Sequence, residues 1–345
     1  MNATPTTGKK NLKLSDALAG RLRWKDLDLE YVRTLVEHAR DEDTGGLGLA
    51  KRPERAGDPT TELLRDGNVA GTGGGTGGTA GGVAGESRAV LRARRDCIVC
   101  GLPLVPIVLM QYAQFSPNLG KKSGLSSLLT VHPLVEDGAS VARDDALATI
   151  EGDTTMLLMA ERVLLNFLQR LTGIATHTFC HAAALAGTAT RLLDTRKTTP
   201  GWRMLEKYAV ATGGGWNHRL GLFDRIMLKD NHLAAGRATA GERLAALVRR
   251  ARAARPDLPV ECEVDAIEQL PPVLDAGADV VLLDNFPPAA LADALALVGD
   301  RAWTEVSGGV TLDTLPAIAR LRPDFVSTGA LTHQATWVDI GMDWD

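Results

Sequence analysis

Eight Lys or Arg and four Asp or Glu fall between Arg191 and His232, a local balance of +4 in a chain whose net charge is −4. Arg196, Lys197, His218, Arg219 and Lys229 form the core of this basic island. Arg clamps a carboxylate or phosphate through two parallel bonds, whereas Lys acts as a compact point charge. The set suits a small polyanion. Downstream, Glu261, Glu263 and Asp265 alternate in VECEVD, and Asp284 closes VVLLD. Alternation puts three carboxylates on one side of a strand, where they repel and resist burial unless a cation compensates. Mg²⁺ held by Glu263 and Asp284, partly through water and a substrate phosphate, would supply that cation. Solvated rim positions are the alternative for Glu261 and Asp265, but not for Glu263.

Ser307-Gly308-Gly309 and Thr328-Gly329-Ala330 are small enough to let backbone N–H groups approach an anion, and a helix starting near Thr311 would add its positive end. Three other features carry less chemistry. Cys97 and Cys100 form a CxxC with no second ligand pair and read as a buried, inert pair. His177 and His181 stand four apart without an acidic partner and read as helix histidines. The run 71–85 (GTGGGTGGTAGGVAG) lacks the Lys-Ser or Lys-Thr of a phosphate loop and reads as a solvated insertion.

The elements that must hold these residues are legible as a repeat. Short apolar runs at 191–195, 225–230, 260–265, 279–285, 303–308 and 324–329 alternate with helical patterns at 241–254, 266–275, 289–298 and 311–320. Such βα units imply right-handed crossovers and a parallel sheet, and their number favours a barrel. Each run ends on Asp194, Lys229, Glu263, Asp284, Ser307 or Thr328-Gly329, and in a parallel barrel such ends converge on one face. Upstream, a helix over 28–40 leads into a polar stretch, 41–59. Strand-like runs at 89–109, 127–135 and 146–150 suggest a β-rich sandwich with helices. A long helical stretch, 155–186, should break near Gly173.

At 345 residues, 45% hydrophobic and 23% charged, the chain has the composition of a soluble globular protein with room for two domains. Its overall acidity argues against nucleic acid, and no run of 18 apolar residues argues for a membrane span. With no apolar leader, cytoplasmic location is the expectation.

The segments ERVLLNFLQRLTGIAT, DTRKTTPG, TGGGWNHRLGL, IMLKDNH, ECEVD, VLLDN, EVSGG and STGALTH, in this order, closely resemble the quinolinate phosphoribosyltransferase family. The likeness is strong from about Glu151 onward. Before that it is weaker, with CGLPL and EDGASVARDDALATIEG still fitting. The run 71–85 and the stretches 41–59 and 113–129 look like insertions. The resemblance implies an N-terminal α/β sandwich domain over 1–154, carrying the Gly-rich run. It implies an incomplete, TIM-like α/β barrel of the type II phosphoribosyltransferases over 155–345, with the last residues packing back on the first domain.

It further implies a homodimer and the conversion of quinolinate and phosphoribosyl pyrophosphate (PRPP) to nicotinate mononucleotide, pyrophosphate and CO₂, with Mg²⁺, in NAD biosynthesis. On that likeness Lys197, Lys229, Glu263 and Asp284 are the catalytic set, the last two also facing the metal. Thr195, Arg196, Lys197, His218, Arg219 and Lys229 would bind quinolinate, with Arg162 donated by the neighbouring subunit. Ser307, Gly308, Gly309, Gly329 and Ala330 would bind the PRPP phosphate. Two other readings compete: transfer to nicotinate or a similar acceptor without decarboxylation, and a silent paralogue that senses phosphoribosyl compounds.

Overall fold

A computed structural model describes residues 14–65, 85–116 and 129–344. All but the last residue of the Gly-rich run, and most of 113–129, lie outside the described residues. In chain order the strands are β1 (Glu86–Ala93), β2 (Cys97–Ile98), β3 (Leu129–Pro133), β4 (Ser140–Val141), β5 (Ala146–Asp153), β6 (Arg191–Leu193), β7 (Ile226–Leu228), β8 (Val260–Val264), β9 (Val280–Asp284), β10 (Trp303–Ser307), β11 (Phe325–Ser327) and β12 (Ile340–Trp344). Two compact units emerge. One comprises residues 24–176 and 336–345, and the other 177–335 together with the first 23 residues. Of the N-terminal segment, the described residues 14–23 group with the barrel.

The first unit is built on an antiparallel sheet of order β12-β1-β5-β3. The C-terminal strand β12 pairs with β1, Ala93 opposite Ile340. The helix Leu29–Gly45 starts at Asp28, whose carboxylate accepts from the N–H groups of Glu30 and Tyr31, and stops at Gly46, with φ 64°. The expected strand-like run to Leu109 is corrected here: Leu104–Gln111 is a helix, packed on Leu29–Gly45 and β3. Pro106 falls in its first turn, where no N–H is needed. A short, wholly apolar run carries no period that separates helix from strand. Cys97 and Cys100 are buried free thiols, and burial pushes the Cys97 thiol up to about 11.

The expected break near Gly173 does not occur. One helix runs from Thr154 to Ala183. The glycine serves a close approach instead: a Cβ there would lie 2.2 Å from the carbonyl oxygen of Thr336. His177 and His181 pack ring to ring at 4.4 Å on this helix, and His181 is buried.

The second unit is a parallel sheet of order β6-β11-β10-β9-β8-β7. β9 is apolar on both faces, as burial between helices and interior demands, and Val280 to Leu283 are all buried, whereas β8 and β10 also bury Glu261 and Glu305. The helix Gly241–Ala254 buries Leu244, Ala245 and Val248 and leaves Arg243, Arg249 and Arg250 in solvent. β6 and β7 end the order, so the ring is an incomplete α/β barrel. Residues 14–22 lie against this side. Gly20 bridges Asn217, and Leu18 and Ala19 are buried against Leu193, Val280 and Phe325. The helix expected near Thr311 begins at Leu315; residues 311–314 form a threonine-rich turn, with Thr311 N–H donating to Thr314 Oγ1 at 2.9 Å.

Candidate active site

The C-terminal ends of the six parallel strands surround a cavity of about 700 Å³. Thr195, Arg196, Lys197, His218, Arg219, Lys229, Glu263, Asp284, Ser307, Gly308, Gly309, Gly329 and Ala330 all line it. Arg162 does not; it is exposed on the long helix, in the other unit. Sequence reasoning missed Glu305, Asn285 and His333, which also line the cavity. Glu305 lies inside a strand, so nothing in the pattern of strand tips could point to it.

Cations and acids meet on β7, β8 and β9. Lys229 follows β7, and its Nζ lies 2.8 Å from Glu263 Oε2. Asp284 ends β9, where its Oδ2 accepts from Asn285 Nδ2 at 2.7 Å. These two carboxylates offer hard oxygen donors on neighbouring strands, beside an open cavity. That donor set fits Mg²⁺.

The small residues at the ends of β10 and β11 are there for space. Gly308 has φ 85°, and a Cβ on it would stand 2.1 Å from Asn285 Oδ1. A Cβ on Gly329 would meet Lys197 Cδ at 2.7 Å and His333 Cδ2 at 3.0 Å. Thr332 Oγ1 donates to the Lys197 carbonyl at 2.7 Å, tying the loop after β6 to the short helix Ala330–His333 that follows β11.

Asp194 is corrected as a cavity group. It is completely buried and paired with Lys207, whose Nζ also donates to the His218 carbonyl at 3.1 Å. Asn217 Nδ2 and the His218 N–H each donate to Asp194 at 2.8 Å. Burial pushes the Asp194 carboxyl up and the Lys207 amine down, and the opposite charge of the partner resists both. The pair anchors the 217–219 loop from beneath.

Glu261 is likewise corrected: it is fully buried, not on the rim, whereas Asp265 is exposed. Both Glu261 and Glu263 point inward as alternation requires, but Glu261 sits one layer deeper. Arg225 Nη1 donates to its Oε2 at 2.8 Å and lies 3.2 Å from His218 Nε2. His218 Nε2 is 3.2 Å from Glu305 Oε2 and 3.5 Å from Glu261 Oε2. His218, Glu261 and Glu305 are close enough together to ligate a metal, but the Arg225 guanidinium already fills the cation position.

Burial lowers the pKa of His218, and the carboxylates of Glu305 and Glu261 more than offset it, raising it to about 9. Its Nδ1 faces the Arg219 N–H at 2.7 Å, so a second ring proton must displace that contact.

A parallel barrel whose strand tips bring acids, cations and small-residue loops to one open cavity is the architecture of a type II phosphoribosyltransferase. Comparison with known proteins narrows the class. The family described as quinolinate phosphoribosyl transferase matches through its C-terminal domain over residues 174–343 and its N-terminal domain over residues 76–172. The probable nicotinate-nucleotide pyrophosphorylase [carboxylating] of Bacillus subtilis (strain 168) is 44% identical over 208 residues, 60% of this chain and 71% of that protein. The nicotinate-nucleotide pyrophosphorylase [carboxylating] of Mycobacterium leprae (strain TN) is 45% identical over 212 residues, 61% of this chain and 73% of its own. The solved nicotinate-nucleotide pyrophosphorylase of Francisella tularensis superposes with a TM-score of 0.74 at 30% identity, covering 92% of this chain and 98% of that one. The chain belongs to the quinolinate phosphoribosyltransferase family.

Proposed function

We propose that the chain transfers the phosphoribosyl group of PRPP to quinolinate with loss of CO₂, giving nicotinate mononucleotide and pyrophosphate in de novo NAD biosynthesis. The observation that carries this reading is the meeting of Lys229–Glu263 and Asp284 with a basic loop and two small-residue loops around one cavity. That space suits a sugar phosphate beside a pyridine dicarboxylate.

The ring nitrogen's lone pair forms the bond to ribose C1, and the C1–oxygen bond breaks with its electrons going to pyrophosphate. Glu263 and Asp284 face the positive charge that develops on the ribose, and Lys197 and Lys229 face the departing pyrophosphate. Bound Mg²⁺, held by Glu263 and Asp284 with substrate oxygens, would neutralise pyrophosphate charge. Arg196, His218 and Arg219 orient the acceptor's two carboxylates. Ser307, Gly308, Gly309, Gly329 and Ala330 hold the 5′-phosphate. With the ring nitrogen quaternised, the C2–carboxylate bond breaks, its electron pair stays on C2 beside the positive ring, and a solvent proton completes the product.

Arg162 belongs to the same reading as a group lent across a homodimer to the neighbouring active site, and the enzyme works in the cytoplasm. Among the described residues no helix is long and apolar enough to cross a membrane. The decisive assay follows CO₂ and pyrophosphate release with quinolinate and with nicotinate, with and without Mg²⁺. Quinolinate-dependent release of both products in equal amounts, abolished by chelation, is expected. Turnover of nicotinate alone would refute the acceptor, and undiminished activity after chelation would refute the metal.

A further inference from the structure

Arg225 belongs to none of the assigned subsites, yet it is in contact with two residues of one. Its guanidinium is buried, with Nη1 against Glu261 Oε2 and His218 Nε2. Its backbone carbonyl accepts from Arg219 Nη1 at 3.3 Å. Its remaining terminal nitrogen, Nη2, donates to the carbonyl oxygen of Leu18. The arginine therefore joins the pocket cations His218 and Arg219 to a segment about two hundred residues away in sequence.

That segment is fastened at several points to the same loop. Gly20 and Asn217 exchange backbone hydrogen bonds of 2.8 and 3.3 Å, and the Leu22 N–H donates to Asn217 Oδ1 at 2.8 Å. Arg21 donates to the carbonyls of Gly215 at 3.0 Å and Gly214 at 2.7 Å, and its guanidinium stacks 4.3 Å from the centroid of Trp216. Leu18 and Ala19 fill the interior below. From 214 to 219 the loop thus rests on the N-terminal strap on one side and on Asp194–Lys207 on the other.

We infer that Arg225 is a positioning residue for the acceptor subsite, and that the N-terminal strap Leu18–Leu22 is part of that subsite's support. The strap stands where the barrel lacks a strand, and Arg225 passes its constraint to the imidazole of His218 and the guanidinium of Arg219. Preorganised charges act only while held in place, so a loosened Arg225 weakens acceptor binding and leaves the phosphate loops untouched.

The inference rests on the assignment of quinolinate to the pocket formed by Arg196, His218 and Arg219, and the test separates the two. Arg225→Met alone strands the buried Glu261 charge and threatens folding, so the informative variant is Arg225→Met/Glu261→Gln, which removes both charges. Its KM for quinolinate should rise by about tenfold or more, the loss expected of one charge-assisted contact, with the KM for PRPP within about twofold. Arg21→Ala, which loosens the strap from outside, should raise the same KM by a smaller factor.

Arg196→Ala calibrates the pocket. If it raises the quinolinate KM and the double variant does not, the positioning role is refuted. Equal rises in both KM values of the double variant would reduce Arg225 to a general structural part and also refute it. An unchanged KM in Arg21→Ala removes the strap from the proposal. If Arg196→Ala itself leaves the quinolinate KM unchanged, the acceptor assignment falls and the positioning role with it.

Discussion

Lys229 and Glu263 neutralise each other across 2.8 Å, and both face the cavity. Such a pair holds opposite charges within reach of opposite changes in substrate charge. Replacing either removes one preorganised charge, so Lys229→Ala and Glu263→Ala should each cut turnover by more than about tenfold with the circular dichroism spectrum unchanged. Near wild-type kcat in either variant would refute its assignment. Asp194 and Lys207 form a different kind of pair. Both are sealed from solvent, and breaking a buried pair by removing one partner costs about 3–5 kcal/mol. Their contribution is to the shape of the 217–219 loop rather than to any contact with substrate.

At the scale of elements, the long helix shows how a glycine can be read for the wrong property. Gly173 weakens a helix by about 1 kcal/mol relative to Ala, yet the helix runs through it because the chain at Thr336 passes too close for a side chain. Gly173→Ala should therefore lower the thermal unfolding midpoint despite the better helix former; an equal or higher midpoint would contradict the close approach. The parallel strands were legible because each is a short, largely apolar run between helical patterns, and the polar residues at their ends pointed to Lys229, Glu263, Asp284 and Ser307. Arg225 and Glu305 were not legible: one precedes its strand and the other lies within it, and only tertiary contact shows what they touch. Asp194 was misread for the complementary reason. A strand tip usually faces the cavity, but Lys207, from the helix Arg203–Thr212, pulls this one inward. The helix 104–111 was hidden by its uniform apolarity, and the start of the helix at Leu315 by a threonine turn that satisfies its own polar groups.

At the scale of the whole molecule, a basic pocket is set in a chain of net charge −4, so the local field has to be concentrated at the cavity to attract two polyanions. Salt shortens the reach of that field, from about 10 Å at 0.1 M to about 3 Å at 1 M. At saturating PRPP, kcat/KM for quinolinate should fall several-fold between about 0.05 and about 0.5 M KCl, measured with free Mg²⁺ held constant; a flat profile would mean that capture owes nothing to the island's charge. The two units are also interleaved along the chain, since the sheet containing β1 takes its edge strand, β12, from residues 340–344. On the ribosome, the unit whose sheet begins first is therefore the last to be finished. Its open edge waits through the synthesis of the barrel strands, and the seam closes only once residues 340–344 have emerged from the exit tunnel.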